Sequence, residues 1–450
     1  MTSAPPSAAR PAVRPEDERL PLGRTVLFGA QHVLSMYGGV VAIPLIVGSA
    51  AGLPELEVGL LVACALFVSG LATVLQSIGV PGFGAQLPLV QGTTFGAVST
   101  MGVIIADGGG LPAVFGSVIV ASIVGLLLVP LVTRMQPLFP PVVTGTIIAA
   151  MGLSLLPVAA GWIVGNDGTP GQGGALNLGL AAITLVAVLV LSRIRALSGV
   201  AIMLGILVGT LAAVAAGVAD FSGVRGGSVI ALPQPFAFGA PTFELAAIIP
   251  MVVVIIVTLM ETTANLFAVT KVVGTDLPPR RLANGLRADM IASAVAPVVN
   301  SFPATAFAQN IGLISVSRVR SRYTVAAGGV LLILLGLVPV LGRVVAAIPS
   351  PVLGGAGIVL FGSVAAAGIR TISEAPRTDE RDAGHDTMIV AVSLALVVMP
   401  IAVPALYASL PPLVSMVLSS GVSAAAFSAV TLNLLLKGRG GIEPRARDIL

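Results

Sequence analysis

The chain has 450 residues, 56% of them hydrophobic and 9% charged, with a mean hydropathy of +1.05. Soluble domains carry roughly 25% charged residues, so this chain cannot cover itself in water and needs lipid as solvent for much of its surface. The net charge of +4 does not point to nucleic acid, because the basic residues are scattered over short loops and form no stripe. One cysteine, Cys64, and two histidines allow no disulfide framework and no obvious metal set.

Residues 1–23 are rich in Pro, Ala and charge and lack the apolar stretch of a cleavable signal. They read as a disordered tail on the cytoplasmic side. A membrane helix needs about 20 mostly apolar residues, and fourteen candidate spans follow. They lie near 25–48, 57–79, 84–104, 112–133, 138–158, 174–193, 197–217, 244–270, 286–302, 303–317, 324–346, 351–370, 387–407 and 411–436. The third and tenth are interrupted by Pro, Gly and polar residues over 87–100 and 302–315. A short tail, 438–450, ends the chain.

Lys and Arg concentrate in cytoplasmic loops. With the N-terminus inside, all but Arg225 and Arg343 of the 23 Lys and Arg fall on inside segments. That alternation supports fourteen spans and places both termini in the cytoplasm, in a multi-pass protein of the cell membrane. Fourteen divides into seven and seven, and an odd half inverts the second set: residues 24–217 and 244–437 form two inverted repeats joined by an outer loop, 218–243. The interrupted spans are the third of each half. A matched pair of broken spans is the best sequence pointer to a transporter's binding site, because broken backbone inside a membrane is tolerated only beside protein or a polar cavity.

Ionisable residues within spans are costly and functional by default. Glu261 lies mid-span in the eighth segment, and Asp289 nearer a basic loop in the ninth. For Asp289 an interfacial ion pair with Arg287 is the competing reading. His32, in the first span, is either a satisfied interhelical donor or an organiser of the site, and Gln31 beside it points to another face. His385 belongs to a charged, solvated loop. Gln309 and Asn310, adjacent amides in the tenth segment, offer donors and acceptors together, which suits a flat heterocycle with alternating N–H and C=O groups. Phe95 in the third segment is placed to stack on such a ring.

The run from Gln309 to Arg318, QNIGLISVSR, resembles the signature of the nucleobase–ascorbate transporter family, departing only at Ser317 where Thr is usual. Gln31-His32, Gln91 to Phe95, Glu261 to Thr263 and Gly285 to Asp289 resemble its other motifs, in the family's order, across 24–437. The resemblance implies an all-α polytopic fold of fourteen segments in 7+7 inverted repeats, with short β-strands in segments 3 and 10. Segments 1–4 and 8–11 would form a core domain, and 5–7 with 12–14 a gate domain. It implies base binding by Glu261, Gln309, Phe95, Phe307 and the backbone near Ala308. Coupling or site organisation would fall to Glu261, His32, Asp289, Asn310 and Asn265, the last standing where purine members commonly carry Asp. Gln309 as the signature's first residue resembles xanthine and urate members; uracil members resemble E-N-x-G there. The expected activity is therefore import of a purine base, xanthine or urate, by alternating access, with uracil or another base as the alternative. The expected co-transported ion is H⁺ rather than Na⁺, without cofactor or metal, in a homodimer. A sulfate-permease-like anion transporter and a passive channel are the rivals of other classes, and no nucleophile–base pair suggests an enzyme.

Overall fold

The computed structural model describes residues 14–135, 140–165, 173–194, 197–225, 228–374, 380–407 and 409–437. The first half runs α1 (Leu22–Ala50), α2 (Glu55–Ile78), β1 (Gln91–Thr93), α3 (Val98–Ala106), α4 (Gly110–Met135), α5 (Pro141–Val164), α6 (Ala175–Arg193) and α7 (Ala201–Ala215). The second runs α8 (Leu245–Val273), α9 (Pro279–Val295), β2 (Ala304–Ala306), α10 (Ala308–Ser317), α11 (Arg322–Gly336), α12 (Pro339–Ala346), α13 (Ser350–Ser373), α14 (Glu380–Ala402), α15 (Pro412–Ser419) and α16 (Gly421–Lys437).

Among the described residues, nine helices are long and apolar enough to cross a membrane: α1, α2, α4 to α8, α13 and α14. α11 and α12 make a tenth if taken as one span bent by 79°. Pro339 at the start of α12 explains that bend, since it has no N–H to continue the ladder of α11. The region of the fourteenth expected span is likewise two helices, parted at Ser420. α9 falls short because Arg280, Arg281 and Arg287 occupy its first turns. His385, expected in a solvated loop, is half-buried in the first turns of α14.

The helices pack in two groups. In one, α2 lies against α1, α9, α11 and α12, α1 against α11, and α4 against α8 and α9. In the other, α5 lies against α13, α14 and α16, α13 against α6 and α7, and α14 against α16. Close approach needs small residues, as is general where lipid removes the hydrophobic drive between helices. A Cβ added at Gly152 of α5 would stand 2.3 Å from the backbone nitrogen of Ala365 on α13, and one at Gly70 of α2 would stand 2.5 Å from the Gly329 carbonyl on α11.

The tail differs from its expectation. Residues 1–13 lie outside the described residues, but Pro15–Asp17 form a 3₁₀ turn seated on the first group. Glu16 is fully buried and ion-paired to Arg281. Asp17 Oδ1 lies 2.7 Å from Arg322 Nε, and its Oδ2 lies 2.9 Å from Arg14 Nε. The same arginines hold the chain after α2: Arg281 donates to Ala85 O (2.6 Å) and Gln86 O (2.9 Å), and Arg322 to Ser77 O (3.0 Å) and Ile78 O (2.9 Å). Burial pushes the Asp17 carboxyl up, but hydrogen bonds and charge from Arg14 and Arg322 outweigh that and hold it below the usual carboxylate range. Composition suggested disorder; the acidic residues Glu16 and Asp17 instead find partners at the starts of α9 and α11, far away in sequence.

Candidate functional site: two broken segments joined by a strand pair

β1 and β2 pair antiparallel, Gln91 opposite Ala306, Gly92 opposite Thr305 and Thr93 opposite Ala304. All six residues are buried. Buried peptide groups need partners, and strands this short cannot supply them all. The Thr94 N–H donates to Pro303 O (2.8 Å) and the Phe307 N–H to Val90 O (3.0 Å), extending the pair. Hydroxyls from the preceding helices hold the first residue of each strand. The Gln91 N–H donates to Thr73 Oγ1 on α2 (2.9 Å), which donates to Gln91 O (3.2 Å). The Ala304 N–H donates to Ser293 Oγ on α9 (2.9 Å), which donates to Ala304 O (3.4 Å).

Helices start where the strands end. A 3₁₀ turn, Phe95–Ala97, capped by the Thr94 hydroxyl, runs into α3, and α10 begins at Ala308 directly after Phe307. Both therefore present their free N–H groups, with the positive end of the helix dipole, toward the strand pair.

Phe95, 8% exposed, lies 6.4 Å from the Phe307 ring and 5.9 Å, edge to face, from Phe361 of α13; Phe361 lies 6.1 Å from Trp162 of α5. Phe95 thus meets an aromatic side chain of the second helix group, Phe361. Phe307 is 4% exposed and packed on Gly39 and Gly92, where any Cβ would meet its ring at 2.6 and 2.3 Å. Its ring packs tilted against that of Phe95. An open cleft of about 510 Å³, lined by Leu45, Glu55, Trp162, Asp220 and Leu353 among others, lies at the end of the bundle opposite the N-terminus. It shares Leu45, Trp162 and Leu353 with an apolar cavity of about 20 Å³ deeper between the two groups.

Glu261 is half-buried and accepts from Thr305 Oγ1 of β2 at 3.5 Å. One turn on, Asn265 Nδ2 donates to Ala306 O at 2.9 Å. Glu261 and Asn265, one turn apart on α8, thus both face β2. Asp289 is buried, bonded by the Thr262 hydroxyl and by Gln76 Nε2 of α2 at 3.4 Å. The competing ion pair is not formed: Arg287 donates to Asn284 Oδ1 (3.1 Å), and no cation pairs with Asp289 among the described residues. His32, 2% exposed, joins α1 to α10: its Nδ1 lies 2.9 Å from Asn310 Nδ2, which also donates to His32 O (3.2 Å). Gln31 is exposed on another face. The side chains of Ala308 and Gln309 lie outside the described residues; their backbone forms the first turn of α10. Thr305, Thr73, Ser293, Gln76, Trp162 and Phe361 are additions that motif reading did not single out. An acceptor carboxylate, an aromatic face and helix N-termini converging on one strand pair suit a flat, polar-edged ring.

A family model described as a permease family, Xan_ur_permease, matches residues 23–406. The uric acid transporter UacT of Escherichia coli K12 is 38% identical over 432 residues, covering 94% of this chain and 89% of its own length. The xanthine permease of Bacillus subtilis 168 is 37% identical over 415 residues, covering 92% and 94%. Among solved structures, the transmembrane domain of the cyanobacterial bicarbonate transporter BicA superposes with a TM-score of 0.60 at 14% identity, covering 85% of this chain and 98% of that one. At that identity the likeness is one of fold.

Proposed function

The chain belongs to this permease family, the nucleobase–ascorbate transporters, and from that premise we propose that it imports a purine base, urate or xanthine, with a proton. It is a permease and not an enzyme. The names of its relatives support urate and xanthine, and Gln309 at the head of the signature supports a purine over uracil. The observation that carries the reading is the strand pair, with Glu261 bonded to its middle residue Thr305 and Phe95 just past the end of β1.

We take the first helix group as the core and the second as the gate, in fourteen segments related as seven and seven. The packing supports this. Exchanging each segment for the one seven places on turns the pair α1–α11 into α8–α4, α2–α11 into α9–α4, and α6–α7 into α14–α16, and all six contacts are present. The matching hydroxyl braces of Thr73 and Ser293 follow the same rule. In this reading both termini are cytoplasmic, the protein is a homodimer of the cell membrane, and the open cleft faces outside.

Base and proton enter from the cleft. Glu261 accepts a ring N–H, Gln309 pairs with the opposite edge, Phe95 stacks on the face, and the N–H groups starting α10 meet a carbonyl of the base. The core then moves against the gate about this fixed site. Glu261→Gln tests the assignment, because the amide keeps the shape but carries no exchangeable charge. It is expected to abolish accumulation of labelled xanthine against its gradient; a variant that still accumulates the base removes Glu261 from coupling.

A further inference from the structure

Glu261 and Asp289, the two carboxylates beside the strand pair, are joined by hydroxyls. Thr305 Oγ1 donates to Glu261 Oε2 at 3.5 Å, Thr305 and Thr262 hydroxyls lie 3.5 Å apart, and Thr262 Oγ1 donates to Asp289 Oδ2. Gln76 closes the far end, its amide nitrogen donating to Asp289 Oδ1 (3.4 Å) while its oxygen accepts the Ala85 N–H (3.0 Å). We propose that Thr305 and Thr262 are a proton relay between Glu261 and Asp289, so that Asp289 takes the coupling proton when Glu261 releases it. This rests on the proton-symport reading above.

The step balances. When Glu261 is protonated the Thr305 hydroxyl turns from it to Thr262; Glu261 then gives its proton to Thr305 Oγ1, Thr305 gives its own to Thr262 Oγ1, and Thr262 gives its own to Asp289 Oδ2. Both hydroxyls end neutral, one proton has moved, and no other reactant is needed. The placement argues for transfer and against simple bracing. Thr258, Thr263 and Thr270 on the same helix donate to the carbonyl four residues back, at 2.8 to 3.0 Å. Thr262 gives its hydroxyl to the Asp289 carboxylate instead. Thr305 alternates across the strand from its neighbours and so faces α8.

Other charged groups on the elements packed here are engaged elsewhere or stand at element ends. Arg281 holds Glu16, Arg287 holds Asn284, His32 holds Asn310, Arg280 and Lys271 lie at the ends of α9 and α8, and Glu55 and Glu57 start α2.

The test compares Thr262→Val, which keeps the shape, with Thr262→Ser, which keeps the hydroxyl. Two readouts are needed in proteoliposomes: base-for-base counterflow, which moves no net proton, and accumulation driven by a pH gradient. Thr262→Val is expected to keep counterflow and to lose about 10²-fold in gradient-driven uptake, together with its pH dependence; Thr262→Ser restores both. Wild-type accumulation by Thr262→Val overturns the relay. So does loss of counterflow in Thr262→Val, which would mark a purely structural hydroxyl. Failure of the wild-type protein to exchange either urate or xanthine contradicts the purine reading instead, and the relay is then scored with the base that does exchange.

Discussion

Asn265 does what an ionised carboxylate at that place cannot: its amide donates a hydrogen bond to the Ala306 carbonyl at 2.9 Å and so fixes the end of β2 beside Phe307 and α10. Asn265→Asp would set an acceptor against an acceptor, at a cost of about 1–3 kcal/mol for an unpaired buried group. Base affinity is expected to fall roughly tenfold by that cost, read by isothermal titration; unchanged affinity would show that β2 does not depend on this bond. The motif residues were legible because charge and amides are rare in apolar spans, so Glu261, Asp289, His32 and Asn310 announce themselves. Thr305 was not, and Thr262, although inside the Glu261–Thr263 motif, gave no sign of its partner. A threonine in a membrane helix ordinarily satisfies itself on its own backbone, as Thr258 and Thr270 do, and nothing in the sequence separates the one that turns to Asp289. Phe361 and Trp162 were hidden for a similar reason, since an aromatic in an apolar span usually packs.

The two three-residue strands stand because the helices before them supply the partners that a wider sheet would. Thr73→Val and Ser293→Ala each remove two hydrogen bonds to strand backbone, leaving buried peptide groups unpaired at about 1–3 kcal/mol each. Each is expected to lower the thermal midpoint in detergent and to weaken base binding, and the double variant more than either. A single variant with wild-type midpoint and affinity would remove the brace from the site's support. The interruptions around Gln91 and Thr305 could be read from Pro, Gly and polar residues. The break between α15 and α16 could not, because a hydropathy window averages across the turn at Ser420. Its hydroxyl lies 2.6 Å from that of Thr100 on α3, so this break also carries a polar contact between the two helix groups.

At the scale of the whole molecule, the segment from Arg14 to Glu18 ties the chain after α2 to the starts of α9 and α11. All three belong to the first helix group, so the strap ties parts of that group together that are distant in sequence. Asp17→Asn is expected to lower the thermal midpoint modestly, because the pair is partly exposed and screened. The Asp17 carboxyl is held below its ordinary value of 3.8, so its contribution is full above the unfolded value of about 3.9 and is lost as pH falls through the folded value. The difference from wild type should thus be constant from neutral pH to about 5 and shrink only below about 4; a difference that vanished near neutral pH would contradict this. The strap was illegible because its partners lie far away in the sequence, and a division of the helices into two groups was expected only from the family resemblance. The most direct test of the proposed function is uptake of labelled xanthine into cells lacking their own purine permeases, with unlabelled urate, hypoxanthine and uracil as competitors. Saturable uptake blocked by urate and not by uracil is the expected result. Absence of xanthine uptake, with uracil entering instead, would contradict the purine assignment and place specificity in residues other than Gln309.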